Sequence, residues 1–582
     1  MWVLYTLLVV LALLAFKFGW GVVRVILKTI KWTFIILALS VVAFIVYYNI
    51  AVDIKYPRNT DIPATAEVQN DSLGSFVGNN WMQQSKDSIW ELYVEGDALQ
   101  RGDAFGKLNK DLLYYQEKVF MDQIDELVPN RKYQHLLKYF IKTYNRNLTS
   151  FVPEENLEEI YAMSNACSHE FDYVGDPYDR QLNFHAAHDL GHAMQDYMMV
   201  GCTSFSTWGK NSEGGDLIVG RNFDFYMGDD FAKNKEVAFV NPTTGYKFAF
   251  VTWPGMTGVC SGMNEKGLTV TINAAKSTMP TGSATPISIL ARRILQYAHN
   301  IAEAKAIADS THTFVSESLL IGSASDGHTA IIEKSVDQCA LYEAPQGQEW
   351  IVCSNHYQSP EFEKDENNIE NIKTSDSPAR WKRASDLVQK MAPLTPEKAV
   401  CILRDKKGTE DDNIGYGNEL ALNQLQGLHS VVFNATKLQM WVSTAPWQEG
   451  KFVCYDLGRI FANPKAARGN ASVDELSIAA DSSFINSPDF KGYLLYRQLV
   501  RQFKKKNPLE IYDDDVERLI ASNPNFYKTY ELAGDCRPDI ECYDTVRLKF
   551  WKKALECRIP KQMEKERIEK KIKALTEKKN LK

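Results

Sequence analysis

The sequence predicts an α+β fold: two antiparallel sheets packed face to face with helices outside, carried behind a membrane anchor. Three observations predict it. The first fifty or so residues are overwhelmingly apolar, residues 89–200 follow a helical period, and beyond Cys202 strand-like pairs alternate with helix pairs.

At the N-terminus, Trp32 to Val52 carries no charge. About 20 apolar residues are needed to cross a bilayer, so this stretch reads as a transmembrane helix. Trp32, Tyr47 and Tyr48 lie near its ends, where amphipathic rings favour the interface. Trp2 to Phe16 is shorter and spans only if it continues past Lys17 with that side chain snorkelling. Lys17, Arg24, Lys28 and Lys31 stand between the two stretches with no acid among them, which makes this segment cytoplasmic. Everything after Asp53 is then expected outside the cytoplasm, periplasmic or extracellular. No small-residue cleavage site follows, so residues 1–52 read as a retained anchor of one or two helices.

Residues 53–88 are polar, with Pro57, Pro63, Gly74 and Gly78, and read as a linker. Residues 89–201 read as helical: Leu108, Leu112, Leu113, Val119, Phe120 and Ile124 fall at helical spacings, and Tyr133 to Tyr144 repeats the pattern. Strands are expected at Asp216–Phe225, Glu236–Val240, Tyr246–Thr252, Leu268–Asn273, Ser318–Ile321, Thr329–Glu333, Trp350–Cys353, Ser430–Phe433, Leu438–Val442 and Phe452–Tyr455. Helices interrupt them near 287–299, 301–309, 379–391 and 396–404. Residues 202–470 are thus expected as the catalytic region, and 471–582 as a helical extension. Within it Asn523 to Asp535, followed by Phe550 to Leu555, reads as one degenerate tetratricopeptide-type helix pair that should dock on the main body. The highly charged Lys561–Lys582 reads as a solvated helix.

The net charge of −7 over 582 residues excludes the basic footprint of a nucleic-acid binder. Ten cysteines without a CxxC pair do not make a disulfide scaffold.

One cysteine stands apart. Cys202 follows Gly201 at the change from helical to strand-like sequence, and Arg221-Asn222-Phe223-Asp224 closes the next strand. A thiol, a cation and a carboxylate would meet there, and the cation would lower the thiol pKa. If the Gly201–Cys202 bond is cut, Cys202 gains an α-amine of pKa about 8, able to act as base for its own thiol. Glycine before the nucleophile suits that cut, because a residue without Cβ tolerates a strained peptide. Arg221 would favour the thiolate, Asp224 could hold the ammonium, and asparagine side chains or backbone N–H groups would serve an oxyanion.

Gly201-Cys-Thr-Ser, Gly220-Arg-Asn-Phe-Asp224, Gly262-Met-Asn-Glu-Lys-Gly-Leu268 leading to Ile272-Asn273, Cys353-Ser-Asn355-His-Tyr-Gln and Ser377-Pro-Ala-Arg380-Trp-Lys-Arg occur in that order. This series resembles the choloylglycine hydrolases, and within them the penicillin acyltransferase-like branch of N-terminal-nucleophile cysteine hydrolases. Tyr93 to Gly106 resembles the start of that branch's propeptide. The resemblance implies a four-layer αββα core and an autocatalytically cut chain. It implies Cys202 as nucleophile, with Arg221 and Asp224 flanking its thiol and amine. It assigns Asn273 and Asn355 to the oxyanion and amine network and Arg380 to positive charge beside the thiolate, with Arg383 one helical turn further on. No cofactor is implied, and the substrate would be a small-molecule N-acyl compound with a linear, non-peptide amide.

Two rival readings remain. His185, His188 and His192 share one helical face, and the last two have the spacing of zinc-binding helices, which would give a metal-dependent hydrolase. The run lacks the glutamate that normally follows the first histidine, and packing or processing roles compete with metal. The other rival is a catalytically inactive tethered binding domain.

Overall fold

The computed structural model describes residues 16–17, 20–51, 54–64, 66–186, 189, 201–277 and 282–580. Helix α1 (Trp20–Ala51) is continuous and contains Leu27–Ile50, a 24-residue stretch long and apolar enough to cross a membrane and not buried against the rest of the protein. The second apolar stretch, Trp2 to Phe16, lies outside the described residues except at its end.

The segment expected as a linker folds instead. Strands β1 (Gln69–Asp71), β2 (Gly74–Val77), β3 (Asn80–Gln84) and β4 (Trp90–Gly96) form successive hairpins at one edge of the larger sheet. Trp81 stacks on Tyr93 with ring centroids 5.9 Å apart. Strand β4 pairs in parallel with a strand far along the chain, Trp90 opposite Glu236 through Gly96 opposite Pro242. The turn residues Asp71, Gly74 and Gly78 make these short strands look like linker sequence; long-range pairing and burial decide otherwise.

Helix α2 (Ala98–Leu127) opens with a capping box from Asp97 and Gln100. After α3 (Arg131–Tyr144), helix α4 (Glu154–Ser164) lies directly on α2. Gly102 and Gly106, one turn apart, allow that approach: a Cβ at Gly102 would stand 2.2 Å from the Glu159 carbonyl oxygen, and one at Gly106 2.7 Å from that of Met163. Helix α5 (Pro177–His185) completes this layer.

The larger sheet runs from β4 through β7 (Glu236–Pro242), β8 (Phe248–Thr252), β9 (Ser261–Asn264), β10 (Leu268–Ala274), β11 (Glu317–Ser323), β12 (His328–Lys334) and β13 (Cys339–Glu343). The smaller has the order β14 (Trp350–Cys353), β5 (Thr203–Gly209), β6 (Gly215–Phe223), β15 (His429–Asn434), β16 (Gln439–Ser443), β17 (Phe452–Asp456) and β18 (Ser472–Ile478). Apart from β4–β7, the strand pairs among the described residues are antiparallel.

Alternation along each strand sorts the side chains. Leu217, Val219, Leu320, Ile331, Val431 and Phe433 meet in one core drawn from both sheets. Val270 and Ile272 pack instead with Ile287, Leu290 and Ile294 of helix α6 (Ile287–Tyr297). Ile218 and Val432 pack with Val388 of helix α8 (Ser377–Met391) and Val400 of helix α9 (Pro396–Leu403), while helix α7 (Ile301–Asp309) lies beside α6. Near Cys202 the layer between the sheets turns polar: Ser204 Oγ donates to Asn273 Oδ1 at 2.7 Å and lies 3.1 Å from Thr271 Oγ1.

The N-terminal helices join this core through a buried triad. Glu159 of α4 binds Arg101 of α2 at 2.8 Å and Arg292 of α6 at 2.9 Å. The C-terminal helices α10 (Pro488–Lys505), α11 (Asp513–Ser522), α12 (Tyr527–Asp535), α13 (Asp544–Glu556) and α14 (Gln562–Asn580) share a cluster of Tyr493, Tyr496, Phe526, Tyr527 and Trp551 with Leu425. Helices α12 and α13 pack against each other within it.

Candidate active site around Cys202

Cys202 immediately precedes β5, whose pairing with β6 sets Ser204 opposite Arg221. Arg221 has the parity of Leu217 and Val219, so it projects between the sheets. There its guanidinium donates to the Cys260 and Ile272 carbonyls and to Ser261 Oγ, and Nη2 stands 3.6 Å from Cys202 Sγ. Its flat cation also lies 4.2 Å from the Phe223 ring centroid. Asn222, of opposite parity, faces the helices and donates to the Leu403 and Leu422 carbonyls at 2.9 and 2.8 Å. Along β6, Arg221 therefore enters the site while Asn222 anchors the outer layer, and Asp224 follows the strand's last residue, outside that alternation.

The thiol is fully buried. Burial pushes its pKa up, Arg221 pulls it part of the way back, and Asp224 adds to the rise. This overturns the expected depressed thiol pKa: in the uncut chain, loss of water outweighs one cation.

Asp224 is also fully buried, and burial pushes its carboxyl up to about 7 against the pull of Arg380 and Arg221. Neither carboxyl oxygen has a hydrogen-bond partner among the described residues. A Cβ at Gly427 would stand 2.8 Å from Asp224 Oδ1 and 2.7 Å from Gln448 Nε2, and the Gln448 amide likewise lacks partners among the described residues. Orphaned buried carboxylates are costly and rare.

Around the scissile candidate, Gly201 N–H donates to the Asp224 carbonyl at 2.9 Å. The Gly201 carbonyl accepts from Gln424 Nε2 at 3.2 Å. Arg380 donates to the Cys202 carbonyl at 2.6 Å, to Thr203 Oγ1 at 2.9 Å and to Asn355 Oδ1 at 2.7 Å, and is held by Asp376 at 2.8 Å. Its neighbour Arg383 instead pairs with Asp405 and Asp411, each at 2.8 Å. Asn273 and Asn355 reach the site, but their amides are engaged: Asn273 Nδ2 donates to the Cys353 carbonyl at 3.2 Å and Asn355 Nδ2 to that of Ala274 at 2.7 Å. All six sequence-derived residues thus converge, with Arg380 on the Cys202 carbonyl rather than on its sulfur.

His429, Gln424 and Asp376 were not foreseen. His429 Nε2 lies 2.8 Å from Ser261 Oγ and 3.3 Å from Arg221 Nη1, and burial with Arg221 and Lys235 nearby holds its pKa well below the ordinary value. It is a neutral acceptor behind Arg221. Its signal was a titratable residue opening a strand with the apolar run Val431-Val432-Phe433; Gln424, in a polar loop 223 positions from its partner, gave none.

Of the histidine rival, His185 is buried and both ring nitrogens are occupied, Nδ1 by the Gln181 carbonyl at 2.7 Å and Nε2 by the Thr257 N–H at 3.0 Å. Burial lowers its pKa to about 4, so it is neutral. His188 and His192 lie outside the described residues.

Residues 210–445 match the family model described as acyl-coenzyme A:6-aminopenicillanic acid acyl-transferase. Through this segment the chain is similar to that acyl-transferase family. The matched segment carries Arg221, Asp224, Asn273, Asn355 and Arg380 and begins just after Cys202. The chain is 23% identical over 309 residues to an uncharacterized protein of Archaeoglobus fulgidus, covering 47% of this chain and 50% of that protein. It is 22% identical over 271 residues to protein dcd1B of Dictyostelium discoideum, covering 43% and 51%. The chain spans about half the length of the curated relatives it matches. Among solved structures, it is similar to a Caenorhabditis elegans N-acylethanolamine-hydrolyzing acid amidase ortholog, with 16% identity, a TM-score of 0.29 and coverage of 40% of this chain and 93% of that one. Similarity to a mutant conjugated bile acid hydrolase from Clostridium perfringens is 11% identity and a TM-score of 0.30, covering 45% and 93%.

Proposed function

We propose that this protein is a membrane-anchored, self-processing cysteine amidohydrolase or N-acyltransferase with a four-layer αββα core, acting on a linear amide of a small N-acyl compound. The carrying observation is the buried Asp224 carboxylate, without a hydrogen-bond partner among the described residues and close enough to Cys202 to raise its pKa. An N-terminal ammonium at Cys202 is the group it lacks, and cutting Gly201–Cys202 would create one.

In the proposed cycle the α-amine of cut Cys202 takes the thiol proton, and the thiolate, favoured by Arg221, attacks the amide carbonyl. Asn273 and Asn355 serve the oxyanion and amine network once the cut frees this region to adjust, and Arg380 fixes the Cys202 backbone. The α-ammonium gives its proton to the leaving amine. Water or an acceptor amine then attacks the thioester, releasing the acyl product and regenerating the thiol.

Anchoring is supported by Leu27–Ile50. Tyr48, at the end of that helix, donates to the Tyr139 carbonyl at 2.8 Å, on the face of α3 that exposes Leu136 and Phe140. The basic residues Lys17, Arg24, Lys28 and Lys31 support an extracytoplasmic catalytic region.

N-terminal sequencing with intact-mass analysis of the detergent-purified chain tests this reading. A fragment beginning at Cys202, with amidase activity lost on alkylation of that residue, is expected. A chain that stays uncut while fully active would overturn it.

A further inference from the structure

We infer that Gln424 is the oxyanion donor of the self-cleavage step, and that the C-terminal helices hold it in place. The inference rests on the self-processing reading and goes beyond it by assigning the step a residue and the C-terminal extension a role.

The cut needs attack by Cys202 Sγ on the carbonyl carbon of Gly201. The sulfur and that carbon are joined through Cβ, Cα and N of Cys202, so the attack closes a five-membered ring and needs no other nucleophile. As the S–C bond forms, the carbonyl π electrons move onto the Gly201 oxygen. When they return, the C–N bond breaks, the thiol proton ends on the Cys202 nitrogen, and a thioester with a free α-amine remains. Water then hydrolyses the thioester, leaving a Gly201 carboxylate and the free thiol. The charge that must be stabilised therefore develops on the Gly201 oxygen.

Gln424 Nε2 is a side-chain donor at that atom, 3.2 Å away and buried. Its orientation is set independently: Gln426 Nε2 donates to Gln424 Oε1 at 2.7 Å, which leaves the Gln424 nitrogen to face Gly201. Gly201 is what permits the approach, since a Cβ there would stand 2.4 Å from Gln424 Nε2. The glycine before the nucleophile thus has a steric reason of its own, besides any backbone strain.

The loop carrying Gln424 is gripped by the C-terminal extension at several points. Tyr493 Oη donates to the Leu425 carbonyl at 3.2 Å, and Lys528 binds Glu419 at 2.5 Å. The Tyr416 N–H donates to Asn523 Oδ1 at 3.1 Å, and Asn418 Nδ2 to the Arg558 carbonyl at 3.1 Å. Gly415, at φ +78°, lies so close to Phe526 that a Cβ would meet its backbone nitrogen at 2.5 Å. Helices well beyond Gln424 in the chain therefore fix the loop that presents it.

The test is cell-free synthesis of the full chain with lipid vesicles, with cleavage followed by pulse-chase for the parent, Gln424→Met and Gln424→Ala. Loss of one oxyanion donor typically slows a step by about 10²–10³-fold. Cleavage slowed by about 100-fold or more in both variants, each keeping the parent's thermal midpoint, is the expected result. Gln424→Met keeps the volume and Gln424→Ala removes it, so the rate that counts is that of whichever retains the midpoint. The protease sensitivity of the nascent chain serves as a second check on folding. A folded variant that cuts at the parent's rate would overturn the assignment while leaving self-processing intact. A parent that never cuts would defeat the self-processing reading, and this inference with it. Lys528→Met, which loosens the loop without touching Gly201, should slow cleavage by a smaller factor; equal rates would remove the role of the extension.

Discussion

Replacing Asp224 by asparagine in a Cys202→Ala chain, which cannot cut itself, should change how stability depends on pH. In the folded chain the Asp224 carboxyl is raised from 3.8 to about 7, chiefly by burial. The folded state therefore keeps a proton that the unfolded chain releases. That contribution is fully present below about pH 4 and is lost as pH rises through about 7. Roughly three units at about 1.36 kcal/mol each come to about 4 kcal/mol. At about 2.1 cal/mol/K of unfolding entropy per residue, this is roughly 3 °C in thermal midpoint if the whole chain unfolds together, and more for a smaller cooperative unit. Asparagine keeps the shape and cannot ionise, so the Asp224→Asn chain should lack this part of the pH slope. The assay is thermal unfolding by intrinsic fluorescence from about pH 4.5 to 8 for both chains, a window set by the two pKa values. The aspartate chain should lose ground to its Asp224→Asn counterpart steadily as pH rises across it. Parallel pH profiles would refute the claim that a lone buried carboxylate waits at this position.

Three further expectations follow from named contacts. Cys202→Ala should abolish both chain cleavage and amide turnover, while Cys202→Ser retains slow cleavage, read by mass spectrometry. Glu159→Ala leaves Arg101 and Arg292 buried without their shared partner, and should destabilise the chain by about 3–5 kcal/mol in denaturant unfolding. Because that triad ties the N-terminal helices to α6, the two fragments of a cut chain should co-elute on size exclusion, and Glu159→Ala should release them. Gly102→Ala drives a Cβ against the Glu159 carbonyl and should lower the thermal midpoint by more than an exposed control such as Gly327→Asn, which meets no neighbouring atom.

Arg221, Asp224 and Cys202 were legible because strand alternation and short pairing distances are local: a hairpin register carries a residue at one strand's end to a known place beside the other. Asn222 was legible as part of the motif but not in its role, since parity decides which face it serves and the partners of that face come from α9 and a later loop. The thiol pKa was misjudged for a related reason. Sequence displays the neighbouring cation, whereas burial, the larger influence on Cys202, is a property of the packed molecule.

The apolar N-terminal helix, the helical period of residues 98–127 and the strands expected between Asp216 and Tyr455 were determined by the sequence alone, because each depends on neighbours within one or two turns or one hairpin. Strands β9, β13 and β18, the last inside the stretch expected to be helical, emerged only from pairing in the sheets. Only the tertiary structure decided that residues 69–96 belong to the sheet, since β4 gains its partner from β7, far along the chain. The same holds for the environment of the Gly201–Cys202 bond. Gln424 reaches it directly, His429 acts through Arg221 and the C-terminal helices through the loop that carries Gln424, and no local pattern of residue types records a distance across the fold.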